Sequence, residues 1–292
     1  MKFGEIRELD LGDCSEVKEF LKKNRASSMF LLSNLATSGI VDGDQPFQGA
    51  YAGAFEEGSL CGVLAHYWNG NLMPQAPVAH LPELLRVVLT ASSRPVKGMV
   101  GLLSQCEVLI SSLRIPADGF QLFERERLYR LSADSLAIPR GAGRVRRARP
   151  EDVEALVSLY AAYNVEALNE SADEALASAS RDIERRLSSA TQWVLPDEVT
   201  GAIVSACAFN ATSMPAVQIG GVYTPPALRG KGYAQACVAG ALTQAFNDGF
   251  TEAVLFTSKE NVPAWRAYEA IGFRAIDEFC VALLAQPWRA ES

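Results

Sequence analysis

The sequence predicts an α/β protein built from two tandem units, and three observations carry this. The chain has 292 residues, enough for two domains of ordinary size. An order of elements (strand, helices, hairpin, helix, strand, helix, strand) occurs twice, with a spacing of about 140 residues. Residues 217–257 then read, without interruption, as a strand, a basic glycine loop, a helix and a strand.

In the first half, residues 3–9 predict a short strand, and residues 15–23 and 28–36 predict helices. Strand-like runs at 50–55 and 59–67 flank Glu56-Glu57-Gly58, which reads as a hairpin turn. Residues 81–91 look helical, 98–103 extended, 105–113 helical and 127–131 extended. Residues 132–143 carry turn formers and little periodicity. The expected division is therefore a first domain at 1–135, a linker at 136–143 and a second domain at 144–292.

The second half repeats the order. Residues 145–148 predict a strand, and a helix follows from Pro150 to about Tyr160, with proline at its start. A polar-faced helix at 173–187 is followed by strands at 193–195 and 202–209, which turn through Pro196-Asp197-Glu198. Residues 275–284 supply closing strands. Identity between the halves is faint: Ile6-Arg7-Glu8 against Val145-Arg146-Arg147 is the kind of match available.

The densest information lies at 217–273. An apolar β-type run, 217–223, breaks at Pro225-Pro226 and leads into Arg229-Gly230-Lys231-Gly232-Tyr233-Ala234. Beyond it, Ala234, Cys237, Val238, Ala241, Leu242 and Ala245 mark one buried helix face, ending near Asn247-Asp248-Gly249. Two glycines without Cβ, two cationic side chains and a helix N-terminus together suit a phosphate. A solvated turn is the plainer reading of the loop alone. Gly220-Gly221, inside the preceding strand, marks either a bulge with close backbone approach or tight packing against a helix.

Arg229-x-x-Gly232-x-Ala234 resembles the [Q/R]-x-x-G-x-[G/A] pyrophosphate loop of the GNAT acyl-CoA-dependent N-acetyltransferases. Asn261, opening a short helix, Tyr268 seven residues on and Ile271-Gly272-Phe273 resemble a second element of that family. The likeness covers residues 144–284, and it departs from the Rossmann fingerprint and the Walker motif. It implies two tandem GNAT-like domains, each a mixed sheet flanked by helices (α+β), the first degenerate and the second catalytic. It also implies that acetyl-CoA is the cosubstrate. Val222, Tyr223, Thr224, Arg229, Gly230, Lys231, Gly232, Tyr233, Ala234, Asn261 and Tyr268 would hold it.

By the same resemblance, the backbone N–H of Val222 would meet the thioester oxygen, and Tyr268 would protonate the departing thiolate. Residues 163–170 would help form the acceptor side, with Glu166 or Glu170 as candidate bases. From the residues alone, Asn261 is a helix N-cap with Pro263 in the first turn, and Tyr268 is a core tyrosine.

Composition excludes several classes. Half the chain is apolar (49%) and a fifth charged (21%), as in ordinary globular proteins. A net charge of −7 argues against a nucleic-acid binder working by bulk electrostatics. The arginines at 140, 144, 146, 147 and 149 read as a solvated linker and strand edge rather than a polyanion patch. No window approaches a membrane span, and Glu5 and Glu8 make a secretory signal unexpected. Six scattered cysteines without a CxxC suggest reduced core thiols in a cytoplasmic protein. With only His66 and His80 besides, no metal site is expected.

The expectation is thus an acetyl-CoA-dependent N-acetyltransferase, monomeric or homodimeric, acting on a primary amine of a small molecule or peptide. Two rivals stay open: a non-catalytic acyl-CoA sensor, and a transferase using a longer acyl or an aminoacyl donor. The first half should bind no second cofactor. Where the repeat calls for a phosphate loop, residues 73–82 hold three prolines and no glycine, arginine or lysine.

Overall fold

A computed structural model describes residues 4–43, 45–168 and 170–289. The chain divides into two compact units, Met1–Leu128 with Ile276–Ser292, and Tyr129–Ala275. The expected division at 135/144 differs from this at both ends, because residues 129–143 group with the second unit and the last strand with the first.

The first unit runs β1 (Ile6–Glu8), α1 (Cys14–Lys23), α2 (Arg25–Ser38), β2 (Gly49–Glu56), β3 (Ser59–Tyr67), β4 (Asn71–Gln75), α3 (Leu81–Ala91), β5 (Val96–Leu102), α4 (Leu103–Ser112) and the start of β6 (Phe120–Ser132). The expected opening strand began at Phe3, which lies outside the described residues. The β2–β3 hairpin turns through Glu57 and Gly58, both at positive φ (50° and 78°). Strands β1 to β4 pair antiparallel in sequence order, and β4 pairs β5 in parallel. One core packs beneath α3 and α4 around Leu84, Met99 and Leu109. Another packs beneath α1 and α2 around Val17, Leu32 and Tyr51.

The second unit runs β7 (Arg146–Arg147), α5 (Val153–Leu168), α6 (Ala172–Ser188), β8 (Gln192–Pro196), β9 (Ile203–Ser213), β10 (Ala216–Tyr223), α7 (Tyr233–Asn247), β11 (Glu252–Ser258) and α8 (Val262–Ala270), leading into β12 (Arg274–Trp288). Here β7 to β10 pair antiparallel and β10 pairs β11 in parallel, the same mixed order as in the first unit. The apolar face of α7 packs Ala236, Cys237 and Leu242 into a core with Trp193, Val217 and Leu255, while α5 and α6 cover the other sheet face.

Each unit also takes chain from the other half of the sequence. β12 pairs β5 antiparallel from Phe279↔Leu102 to Trp288↔Val96, as one strand rather than the expected closing strands. Tyr129 and Leu131, from the end of β6, join the core of the second unit. The supposed linker is tied there too: Ala137 donates its N–H to the Ile271 carbonyl (3.1 Å), and Ala142 is buried. Two other differences matter below. β4 went unrecognised because it is short and contains Pro74, and α5 continues to Leu168, so residues 163–168 are helical rather than a connection.

The faint identity between the halves has a physical basis. Arg7 grips Asp13 through two bonds (2.7 and 2.8 Å), and Arg146 grips Asp152 identically (2.6 and 2.9 Å). Each carboxylate also accepts a backbone N–H, from Asp10 and Arg149 respectively, closing the turn before the first helix. Arg147 pairs with Asp248 and Arg144 reaches the Pro196 carbonyl, so three of the clustered arginines serve the fold.

Arg146 and Asp152 side chains are 28% and 8% exposed, so solvent screening removes little of the interaction. The bond from Arg146 holds the Asp152 carboxyl below its usual range. That stabilisation is fully present above the unfolded-state value of about 4 and is lost as pH falls through the lower folded-state value. Asp152→Asn should cost about 2 kcal/mol at neutral pH. Urea melts of both proteins should converge at acid pH; a difference independent of pH would contradict the assignment.

All six cysteines are free thiols, and four of them are buried. Among the described residues, no helix is long and apolar enough to cross a membrane.

Candidate functional site

A cavity of about 490 Å³ lies in the second unit, walled by α5, the end of β10, the loop after it, the start of α7, and α8. It lies at the end of β10, past the point where the pairing of that strand with β11 stops. Among the described residues, β10 pairs β11 only from Ala216↔Glu252 to Gln218↔Val254. Past that ladder, Val222 and Tyr223 at the end of β10 lie on the cavity wall.

The parting coincides with a bulge. Gly220 opposes Ala208 and Tyr223 opposes Ala206, so Gly221 and Val222 share the single partner position of Cys207. Gly221 has φ of 56°, the left-handed conformation that glycine takes without strain. A Cβ there would lie 3.1 Å from the Tyr160 ring, and one on Gly220 would lie 1.9 Å from Asn210 Nδ2. Both readings of this glycine pair therefore hold: it is a bulge, and it packs tightly against a helix.

The bulge is pinned from beneath. The Tyr160 hydroxyl donates to the Gly221 carbonyl (2.7 Å) and accepts from Gln192 Nε2 (3.0 Å), which also donates to the Cys207 carbonyl (2.9 Å). Burial pushes the Tyr160 hydroxyl above its usual range, so it stays a donor. The Arg186 guanidinium lies 4.8 Å from the centre of its ring. This network orients the backbone at Val222, which lines the cavity.

At the other wall, Pro225 and a 3₁₀ turn, Pro226–Leu228, deliver the chain to the glycine loop. Gly232 is the N-cap of α7 at φ of 78° and contributes no side-chain cap bond. By contrast α6 is capped by Ser171 and α8 by Asn261. An N-cap without a side chain leaves the first-turn N–H groups of α7 for a ligand. A Cβ on Gly230 would meet nothing within 4 Å, and one on Gly232 only Gln235 Oε1 at 3.6 Å, so the loop's outer face is open.

Arg229 is held beside this loop. Its Nε donates to the Thr224 carbonyl (2.9 Å), its terminal nitrogen pairs with Glu166 (2.8 Å), and its guanidinium lies 5.6 Å from the Tyr223 ring centre. The Tyr223 hydroxyl also donates to Glu166 (3.0 Å). The Arg229 bond, reinforced by Tyr223, holds the Glu166 carboxyl below its usual range. That makes Glu166 a weaker proton acceptor than a general base requires. Glu170 is not on the cavity wall; it accepts from the Ser178 hydroxyl at 2.6 Å.

On α8, Asn261 Oδ1 accepts the N–H of Ala264 (3.3 Å), and both residues line the cavity. Tyr268 is buried, with its ring 6.1 Å from Phe273 in edge-on packing, and it too reaches the cavity. The cavity wall thus gathers Glu166, Val222, Tyr223, Thr224, Arg229, Gly230, Gly232, Tyr233, Ala234, Asn261 and Tyr268. Lys231 is the exception: it is exposed and not on that wall.

Tyr163 and Ala167 on the wall belong to the segment 163–170 expected on the acceptor side, whereas sequence reasoning missed Gln235, Arg266 and Ala267 on the wall, and Tyr160 and Gln192 beneath it. A helix running to Leu168 would have placed Tyr163, Glu166 and Ala167 on one face by their i, i+3, i+4 spacing.

Residues 153–273 match the sequence model of the Acetyltransferase (GNAT) family. A search of curated proteins finds no match. Among solved structures, the chain is similar to a GNAT-family acetyltransferase from Colwellia psychrerythraea, with 16% identity, TM-score 0.53, and 96% and 99% of the two chains covered. It is also similar to a GCN5-related N-acetyltransferase from Sphaerobacter thermophilus, with 15% identity, TM-score 0.56, and 98% and 97% covered. A tandem GNAT protein from the clavulanic acid biosynthesis pathway aligns with 12% identity, TM-score 0.53, and 98% and 99% covered. At these identities the likeness establishes the tandem fold.

Proposed function

We propose that this protein, whose residues 153–273 form a GNAT acetyltransferase domain, transfers an acetyl group from acetyl-CoA to a primary amine of a small-molecule or peptide acceptor. The observation that carries this is one cavity that joins an uncapped helix N-terminus to a strand bulge and a buried tyrosine.

The residues fit the cosubstrate. The α7 N-terminus, the two Cβ-free positions and Arg229 suit a diphosphate. The gap between β10 and β11 suits an extended arm. Acetyl-CoA would supply the acyl group already activated as a thioester.

The remaining chemistry falls to the protein. Val222, beside the bulge at Gly221, lines the cavity, and its N–H would donate to an oxygen gaining negative charge. Tyr268 carries a proton on a hydroxyl that would pass to the departing sulfur. Glu166 stays ionised against Arg229 and Tyr223, which suits drawing in a cationic amine better than deprotonating it. The proton on the incoming ammonium would then leave through water.

Incubating the full chain with acetyl-CoA and an amine library, with free-thiol detection and mass spectrometry, tests the reading. Acceptor-dependent thiol release with a matching acetylated product supports it. Binding of acetyl-CoA without release for any amine would favour a sensor, and release only with another donor would favour a different acyl group.

A further inference from the structure

The first unit repeats the strand–turn–helix order of the cofactor loop, but with different chemistry at its end. β4 leads through Pro77 and a 3₁₀ turn, Val78–His80, into α3, where β10 leads through Pro225 and Pro226–Leu228 into α7. In place of open glycines this turn ends on His80, whose side chain is 12% exposed and turned onto the β2–β3 hairpin. His80 Nε2 lies 2.8 Å from Glu56 Oε1, at the last residue of β2.

A third donor comes from β3. Ala54 pairs with Gly62 and Phe55 with Leu60, so Cys61 is the extra residue of a bulge. Bulges re-aim side chains, and Cys61 Sγ here lies 3.3 Å from the Ala54 carbonyl. One ligand atom from each of Glu56, Cys61 and His80 falls within 4.8 Å of the others. The turn is held close by packing: a Cβ on Gly62 would come within 2.8 Å of the Ala76 side chain.

We propose that Glu56, Cys61 and His80 bind one thiophilic divalent cation of the zinc type, independently of the acyl-CoA site. Sulfur, imidazole nitrogen and carboxylate oxygen are the donor set zinc takes, and three protein ligands leave the fourth tetrahedral position to water. Glu56, 60% exposed, leaves that position open to solvent. Metal binding would release the Cys61 thiol proton to solvent as the metal–sulfur bond forms. Sequence spacing gives no hint of the site, because the ligands come from a hairpin and a turn that only folding brings together. The occupied site would pin the hairpin to the turn before α3, where the second unit has its anion cradle.

Titration of the reduced full-length protein with Co²⁺, followed by Zn²⁺, tests this. The expected result is one Co²⁺ per chain with thiolate-to-cobalt charge-transfer absorption, which Zn²⁺ abolishes. Cys61→Ser should remove the absorption. His80→Gln, which keeps a hydrogen-bonding group for Glu56, should weaken binding by more than the roughly 10–100-fold that loss of an outer partner costs. Circular dichroism confirms that both variants are folded. Absence of the absorption in the unaltered chain, or its survival in Cys61→Ser, would overturn the proposal.

Discussion

Tyr268→Phe is expected to lower turnover by roughly 10²–10⁴-fold, the usual contribution of a positioned general acid. The substitution removes one oxygen and keeps the ring, which is buried in edge-on contact with Phe273. Packing of α8 should survive, so the melting temperature should hardly move. Acetyl-CoA affinity should be nearly unchanged, because the diphosphate is proposed to sit on the α7 loop. The effect belongs in kcat with a fast-leaving thiol as the control: a donor whose thiol needs no proton should be transferred at near-normal rate by the variant. Equal losses with both donors would assign Tyr268 to packing alone.

The second large effect is expected at Gly232. Gly232→Val should weaken acetyl-CoA binding by about 10–100-fold, equivalent to roughly 1.4–2.8 kcal/mol. Two causes combine. A side chain would occupy the open face that a diphosphate must approach, and φ of 78° is a conformation that L-residues, β-branched ones above all, resist. The second cause also costs about 1–2 kcal/mol of stability, so affinity is to be compared with Gly249→Val. That variant is strained in the same sense (φ 96°) at the C-terminal end of α7, away from the cavity. Calorimetry showing equal affinity losses in the two variants would detach the loop from the cofactor.

The glycine loop and the helix it opens are legible in the sequence because everything that makes them is local. Pro225, two glycines and the apolar spacing of α7 lie within one short segment, and each constrains its neighbours' backbone directly. The Asn261 cap is legible for the same reason. What the sequence hides is pairing at a distance. Glu166 reads as a candidate base until folding sets it against Arg229, 63 positions away. Tyr160 and Gln192 read as ordinary core until they meet beneath Gly221. The destination of β12 is a matter of strand partner, and nothing in residues 276–288 specifies β5 over any other edge.

That last point reshapes any truncation. A fragment starting near Gly143 would lose β5 and leave β12 without the partner it has in the intact chain, so tests of the site belong on the whole protein.

The most direct measurement is calorimetric titration of the full chain with acetyl-CoA. The second unit offers an uncapped helix N-terminus behind a glycine loop. In the first unit the corresponding turn, Val78–His80, runs straight into α3 with no glycine loop, and α3 has proline in its first turn, which removes a donor that a diphosphate would need. The account predicts one acetyl-CoA per chain, with binding weakened by Gly232→Val. A stoichiometry of two, or no binding at all, would contradict it.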